Sequence, residues 1–254
     1  MSCSTYILRK FFKYLTCLSM AKFYVVSNLF FVLLCTEVPR CENPVDVAFL
    51  MDASGSIGEA NYKLEKNFVK EVVYAFGVSE AGSHAGIITY SDDAELNINF
   101  EKYKSLDSFN QAVDSLPYSK GRTRIDKALD LASNQLFTVQ EGMRPNVPKI
   151  AIVMTDGKQT AASDAVALEK AVAPLHALGV QVFAIGIGTE VDQNELALMV
   201  KRPEDVRMST FEGLQAVVAD ISLSTCKTTS KLTVVVYRFA MCFCRYMFRY
   251  MLKR

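Results

Sequence analysis

The sequence predicts an α/β fold: a doubly wound, mostly parallel sheet of six strands, with helices on both faces and one antiparallel edge strand. Apolar segments of strand length alternate with amphipathic segments of helix length from residue 45 to residue 224. Strands separated by helices of ten or more residues need crossover connections, which give parallel pairing and a sheet covered on both faces. One short link, Ser91-Asp92-Asp93, joins two consecutive strands and adds the antiparallel edge.

Periodicity predicts each element in the first half of the chain. An unbroken apolar run predicts a strand buried on both faces. Apolar residues four apart (Leu64, Phe68, Val72 and Phe76) predict a helix that faces the sheet. Ser105 is suited to cap the helix that follows it. In chain order, the elements are the strand "VDVAFLM" (45–51), the helix "EANYKLEKNFVKEVVYAF" (59–76), the strands "HAGIITYS" (84–91) and "AELNINF" (94–100), and the helices "SLDSFNQAVDSL" (105–116) and "IDKALDLASNQLF" (125–137).

The second half of the chain repeats the alternation of strand and helix. Gly179 follows a helical pattern and is a natural C-terminal stop. The last strand is short and is expected at an edge. The elements are the strand "PKIAIVMT" (148–155), the helix "DAVALEKAVAPLHALG" (164–179), the strand "VQVFAIGIG" (180–188), the helix "QNELALMV" (193–200), the strand "VRMSTF" (206–211) and the helix "GLQAVVADISLS" (213–224).

Composition excludes several classes of function. The 254 residues are enough for one large domain or two small ones, and their hydrophobic content of 50% supports a sizeable core. The net charge of +1, from 28 basic and 27 acidic side chains, gives no indication of nucleic-acid binding. With His84 and His176 as the only histidines, His-based catalysis and multi-His zinc sites are not expected.

The first 36 residues have the pattern of a secretory signal peptide. Basic residues precede the apolar run 23–35, and a polar exit follows it. The run is shorter than the roughly 20 residues of a membrane span. Translation from Met20 would give a more compact signal; an amino-terminal anchor and a misassigned start are the alternatives. We therefore expect a secreted protein.

Two cysteines bracket the predicted domain. Cys3, Cys17 and Cys35 would leave with the signal, and no cysteine lies between Cys41 and Cys226. In a secreted chain such a pair predicts a disulfide that ties the domain's ends together, and two free thiols are the alternative. We expect the folded domain to span residues 41–226.

The tail, residues 227–254, follows neither pattern. It is apolar and basic, with arginines that interrupt any run of membrane length. It is either a short amphipathic segment that lies on a membrane or an unstructured end.

The loop "DASGS" after the first strand concentrates polar side chains. Asp52, Ser54 and Ser56 alternate with Ala53 and Gly55. A nucleophile, a phosphate cradle, a helix cap and a metal site are the possible explanations.

Two of the four explanations fail on motif and spacing. A nucleophile elbow needs G-x-S-x-G, but Ser54 stands where the first glycine would precede Ser56, and neither histidine is placed to act as a base. No phosphate-binding motif is present, and the nearest match, "GIGTEV" (186–191), lacks the third glycine.

A helix cap and a metal site remain. A cap would account for Ser56 or Asp52 but not for all three polar residues. Hydroxyl and carboxylate oxygens are hard ligands suited to Mg²⁺, Mn²⁺ or Ca²⁺. Further oxygens are expected from Thr123 in "GRTRIDKAL" and from Asp156 in "VMTDGK", because in such sheets ligands sit at the carboxyl ends of the strands.

These residues resemble the metal-ion-dependent adhesion site of von Willebrand factor type A domains. The resemblance rests on Asp52-x-Ser54-x-Ser56, Thr123 at a helix start and Asp156 in a "TDG" turn, and it covers residues 41–226. The segments "VDVAFLMDASGSIG" and "VFAIGIG" are closest to the matrilin and collagen branch found in extracellular matrix. Where the family often has Gly-Gly and a second Thr, this chain has Lys120-Gly121 and Ile125.

The resemblance implies a role for each site residue. Ser54 and Ser56 would bind the ion directly, Asp52 and Asp156 partly through water, and Thr123 directly when a ligand is engaged. The ion, Mg²⁺ or alternatively Mn²⁺ or Ca²⁺, would accept a partner's carboxylate as its last ligand.

Three basic residues, Lys120, Arg122 and Arg124, are expected to form a positive rim that favours an acidic partner.

We therefore expect a secreted adhesion module of the extracellular matrix and not an enzyme. Its partners would be matrix or cell-surface proteins that offer an acidic residue, with self-association possible and no nucleic acid bound. The alternative is a structural matrix module that assembles independently of metal. Intracellular domains of this kind are disfavoured by the signal-like start and the cysteine pair.

Overall fold

The structure, a computed structural model, describes residues 43–225. The predicted leader, the tail and both bracketing cysteines, Cys41 and Cys226, lie outside the described residues. The disulfide and the exact ends of the domain therefore stay predictions.

The sheet has six strands in the order β3-β2-β1-β4-β5-β6, and every pairing is parallel except β2 with β3. This is the predicted doubly wound sheet with one antiparallel edge strand. The bounds are β1 (Asp46–Asp52), β2 (His84–Tyr90), β3 (Ala94–Ile98), β4 (Lys149–Thr155), β5 (Gln181–Ile187) and β6 (Val206–Ser209).

Helices cover both faces of the sheet. On one face α3 and α4 pack over alternate residues of the central strands, such as Ala48 and Leu50, and on the other α1 packs against α2 and α6. The bounds are α1 (Gly58–Phe76), α2 (Leu106–Asp114), α3 (Ile125–Leu131), α4 (Leu168–Ala177), α5 (Gln193–Ala197) and α6 (Leu214–Thr225). Within residues 43–225, no helix is both long and apolar enough to cross a membrane.

The predicted helix ends are confirmed at two points. The side chain of Ser105 accepts a hydrogen bond from the Ser108 amide and caps α2. Gly179 follows α4 with a φ of +76°, a left-handed conformation that glycine adopts without strain.

Four predicted helices are shorter in the structure: α2 and α5 lose three residues each relative to the predicted bounds, and α3 and α4 lose more. The helix predicted for residues 125–137 is α-helical only to Leu131 and continues as a π-helical turn, Ala132–Leu136. Helix α4 begins at Leu168 rather than at Asp164, because the residues before it bond to other loops. Asp164 pairs with Arg124, and the Val166 amide donates to the side chain of Asp126.

The buried face of α1 differs from the prediction at one position. Leu64, expected in the buried stripe, is only half-buried, whereas the neighbouring Glu65 is fully buried. The residues of the inner face are Tyr62, Glu65, Phe68, Val69, Val72, Val73, Ala75 and Phe76. An acidic side chain therefore occupies a core position of this helix.

Strand order places the polar loops together. Strand β1 is fully buried and lies between β2 and β4. Since β1 and β4 are parallel and Met51 is in register with Met154, their following loops leave the sheet at the same edge. Asp52 and Asp156 therefore meet there.

Candidate metal site

Asp52 anchors the loop after β1. Its side chain is fully buried, and its two oxygens accept different hydrogen bonds. Oδ1 accepts from the Ser54 amide at 2.9 Å, and Oδ2 accepts from the Thr155 hydroxyl at 2.8 Å. Asp52 thus joins the ends of β1 and β4.

Three further oxygens form a chain beside Asp52. Ser54 Oγ lies 3.1 Å from Ser56 Oγ, and Ser56 Oγ donates to Asp156 Oδ1 at 2.8 Å. Ser54 is buried, Ser56 is exposed and Asp156 is half-buried. The group therefore extends from the core to the surface, where a ligand could reach it.

Thr123 lies on the loop that precedes α3. The Gly55 amide donates to the Gly121 carbonyl at 2.9 Å, which holds this loop against the serine loop. Thr123 exchanges two hydrogen bonds with Thr160: its amide donates to Thr160 Oγ1, and its carbonyl accepts from the Thr160 amide. Four predicted ligands thus form one hydrogen-bonded group, and the loop of Thr123 is bonded next to it.

The helix-cap explanation of the loop is wrong. Helix α1 has Ile57 at its N-cap position, with no hydrogen bond from a capping side chain. The hydroxyls of Ser54 and Ser56 point instead to each other and to Asp156.

Tyr118 supports the start of α1, a role that sequence reasoning missed. Its hydroxyl accepts a hydrogen bond from the Gly58 amide at 2.9 Å and donates to the Ser54 carbonyl at 2.7 Å. Its ring lies 5.2 Å from that of Tyr62. A tyrosine 60 positions after the helix start carries no local sequence signal for such a role.

The two carboxylates of the site, Asp52 and Asp156, have no basic partner among the described residues. Burial, with a smaller contribution from the charge of Asp156, raises the pKa of Asp52 to about 6, although hydrogen bonds from Ser54 and Thr155 oppose the shift. Burial also raises the pKa of Asp156. Within residues 43–225, neither carboxylate forms an ion pair with a basic side chain. A cation would stabilise both in their charged form.

Glu65 adds a third acid behind the site. Both of its carboxyl oxygens are buried without a hydrogen-bond partner, and so is the hydroxyl of Tyr62 one turn earlier. Burial, followed by the charges of Asp52 and Asp156, raises the pKa of Glu65 well above its ordinary value. The sequence pattern did not identify this residue, because an acid within an amphipathic helix is normally assigned to the solvent face.

The predicted basic rim is wrong for Arg124. This side chain is 3% exposed and forms ion pairs with Asp126 at 2.9 Å and Asp164 at 3.0 Å. These bonds, chiefly those to Asp126, raise the pKa of Arg124 despite its burial. Arg124 is therefore a buried structural cation and does not face a partner.

The other two rim residues are exposed but differ in pairing. Arg122 forms an ion pair with Asp92 at 2.6 Å, and its hydrogen bonds hold the pKa of Asp92 below the ordinary value. Lys120 has no ion pair within the described residues.

The donor set fits a hard divalent cation. It offers two carboxylates and three hydroxyls, and no group of three or more His, Cys, Asp or Glu suited to a metal occurs in residues 43–225. A metal ion at this position would depend on the hydroxyl oxygens of Ser54, Ser56 and Thr123, which Mg²⁺ accepts as ligands together with water. Fold and donor set define an α/β domain with an oxygen-rich site at the carboxyl edge of its sheet.

The comparison with protein families identifies that class. A family model, the von Willebrand factor type A domain, matches residues 46–221. The chain belongs to the von Willebrand factor type A domain family.

Its relatives are proteins of extracellular matrices. The chain is 32% identical over 186 residues to a collagen alpha-1(XII) chain from Notophthalmus viridescens, which covers 72% of this chain and 19% of the relative. It is 31% identical over 160 residues to matrilin-1 from Gallus gallus, covering 63% of this chain and 31% of the relative. The chain thus spans less than a third of the length of these relatives. Two predictions are thereby confirmed. The chain is similar to matrilins and collagens, and the location predicted from that similarity is the extracellular matrix.

Among the solved structures with this fold are those of a protein from the mussel byssus. Proximal thread matrix protein 1 superposes with a TM-score of 0.68 and 28% identity, covering 72% of this chain and 48% of that protein. A second structure of the same protein, with a zinc-occupied MIDAS motif, has a TM-score of 0.67. MIDAS is the metal-ion-dependent adhesion site.

Proposed function

We propose that this chain is a secreted module of the extracellular matrix that binds protein ligands through a divalent ion bridging to a partner's carboxylate. The observation that carries the proposal is the group of oxygens from Asp52, Ser54, Ser56 and Asp156, which links two loops at the surface and has no basic partner among the described residues. The zinc-occupied motif of a structural neighbour supports it. The module would act by binding and not by catalysis.

Each of the five site residues has a defined role in this proposal. Ser54 and Ser56 offer neutral oxygens directly, while Asp52 and Asp156 supply negative charge partly through water. Thr123 offers a third hydroxyl from the neighbouring loop. Bound Mg²⁺, or Mn²⁺ or Ca²⁺, would supply the Lewis acidity that captures an anionic oxygen. Because three of the five protein oxygens are neutral, much of the positive charge remains for the partner.

Binding kinetics in the presence and absence of metal test the proposal. An extracellular-matrix extract fraction is passed over the immobilised chain in Mg²⁺ and then in EDTA, with surface plasmon resonance as the readout. We expect EDTA to release the bound material. Thr123→Ala should raise the dissociation rate, because it removes one hydroxyl ligand while Thr160 still bonds the same backbone. Undiminished binding in EDTA would contradict the proposal and favour a structural module that assembles without metal.

A further inference from the structure

Lys120 has a backbone conformation that is unfavourable for its residue type. Its φ is +60°, and it is the one non-glycine residue with positive φ in residues 43–225. In this left-handed region the Cβ of an L-residue crowds the following carbonyl, so glycine or asparagine is the usual occupant. The next residue, Gly121, also has a positive φ, +107°. A strained residue beside a binding site points to a function for its side chain.

The loop that carries Lys120 is fixed against the site from both sides. Tyr118, two residues earlier, bonds to the Ser54 carbonyl at 2.7 Å. Gly121, one residue later, accepts from the Gly55 amide at 2.9 Å. A side chain at Gly121 would be strained by the φ of +107°, and its Cβ would lie 2.5 Å from Asp92 Oδ2 unless that side chain moved. The backbone of Lys120 is therefore held next to the loop of the two site serines.

The charge of Lys120 is available, unlike that of its neighbours. Arg122 is bound to Asp92, and Arg124 is buried with Asp126 and Asp164. Lys120 is exposed and has no carboxylate within ion-pairing distance among the described residues. Because its backbone is held beside the site serines, this exposed ammonium is within the reach of one flexible side chain of a carboxylate that follows or precedes the one bound at the ion.

We propose that the partner segment is an acidic peptide with two carboxylates, one for the metal ion and the other for the ammonium of Lys120. This inference rests on the proposed function, since the first carboxylate is positioned by the ion. Lys120 is then a specificity residue: it selects among acidic partners by the spacing of their charges. Its contribution is that of one exposed ion pair, about a two- to fivefold change in affinity.

A peptide series tests the proposal directly. The probes are acetylated, amidated glycine peptides with one glutamate, or with a second glutamate placed one, two, three or four residues after the first. Their dissociation constants are measured in saturating Mg²⁺ and in EDTA by amide chemical-shift titration of the labelled chain. We expect at least one two-glutamate peptide to bind about two- to fivefold more tightly than the one-glutamate peptide.

Two variants of Lys120 and one control complete the test. Lys120→Gln and Lys120→Gly should abolish the advantage of the second glutamate, whereas Arg122→Gln should retain it. Lys120→Gly should also raise the midpoint of thermal unfolding, because glycine adopts a positive φ without strain. The proposal is overturned if no two-glutamate peptide has an advantage or if the advantage survives in either Lys120 variant. If the one-glutamate peptide fails to bind in Mg²⁺ as well, the proposed function itself is overturned.

Discussion

Ser56 Oγ donates a 2.8 Å hydrogen bond to Asp156 Oδ1, joining the loops that follow β1 and β4 across 100 positions of the chain. In an α/β sheet with this strand order, that bond marks the point where two neighbouring parallel strands end side by side. The loops bring together neutral and charged oxygens within hydrogen-bonding distance.

The first prediction concerns metal binding. Replacing both Asp52 and Asp156 with alanine should abolish binding of Mg²⁺ and Mn²⁺ while the fold remains, because the donor set would lose both of its carboxylates. Isothermal titration calorimetry measures the binding, and circular dichroism reports the fold. Asp107→Ala, at an exposed position of α2, is the matched control and should bind the ions as the parent does. Undiminished heat of binding in the double variant would rule out this site.

The second prediction concerns Glu65 and pH. The folded protein retains the proton of Glu65 above the ordinary pKa of 4.5, whereas the unfolded chain releases it. The unfolded chain then holds fewer protons, so the stability contributed by this group is fully present below pH 4.5 and is lost as pH rises. Glu65→Gln should remove this loss of unfolding free energy. The loss amounts to up to about 1.4 kcal/mol per pH unit between the pKa of Glu65 in the unfolded chain and its pKa in the folded protein.

Denaturant unfolding at a series of pH values, in EDTA, measures the Glu65 effect. The difference in unfolding free energy between Glu65→Gln and the parent should grow from pH 4.5 upwards. Glu59→Gln, at an exposed position of the same helix, should show no such trend. A difference that is constant with pH would mean that Glu65 is charged in the folded protein.

The third prediction concerns Arg124. Its guanidinium makes bonds to Asp126 at 2.9 Å through both Nε and Nη2, and Asp126 is itself 3% exposed. Arg124→Ala should lower the free energy of unfolding by about 3 kcal/mol, because it leaves a buried carboxylate without its cation. Arg122→Ala, which breaks an exposed ion pair, should change it little. Equal small effects of the two substitutions, measured by urea unfolding, would contradict the structural role of Arg124.

The fourth prediction concerns the ends of the domain. Cys41 and Cys226 should form a disulfide in secreted material. It would close a loop of about 185 residues and contribute roughly 4 to 5 kcal/mol in the chain-entropy treatment. Peptide mapping without reduction should recover the two cysteines in one linked peptide, and mapping after reduction is the control. Recovery of both as free thiols would refute the pairing.

The fold could be predicted from the sequence because the patterns that determine strands and helices are local and periodic. Apolar runs and four-residue spacing were enough to place each strand and helix, and crossover logic gave the parallel sheet. The loop residues Asp52, Ser54, Ser56 and Asp156 were grouped correctly for the same reason: each follows directly from a buried strand. Their action as metal ligands stays a prediction.

The features that the sequence did not predict are long-range or break a pattern. Arg124 looked like an exposed rim charge, but it is buried between Asp126, two positions away, and Asp164, 40 positions away, and no local signal marks the burial or the second pair. Glu65 lies on the buried face of α1, whereas the four-residue spacing assigned that place to the neighbouring Leu64. Tyr118 acts through a hydroxyl that contacts another loop. Such contacts depend on packing and cannot be obtained from composition or spacing.

The paired bonds between Thr123 and Thr160 have a mechanical consequence. The Asp126 amide also donates to the side chain of Gln159 at 2.8 Å, so the start of α3 and the segment after Asp156 are fastened at two points. If Thr123 is displaced when a ligand binds, the segment between Asp156 and α4 should therefore move with it. Under the proposed function, a force on a captured partner would therefore be shared between the loop of Thr123 and the segment that follows β4.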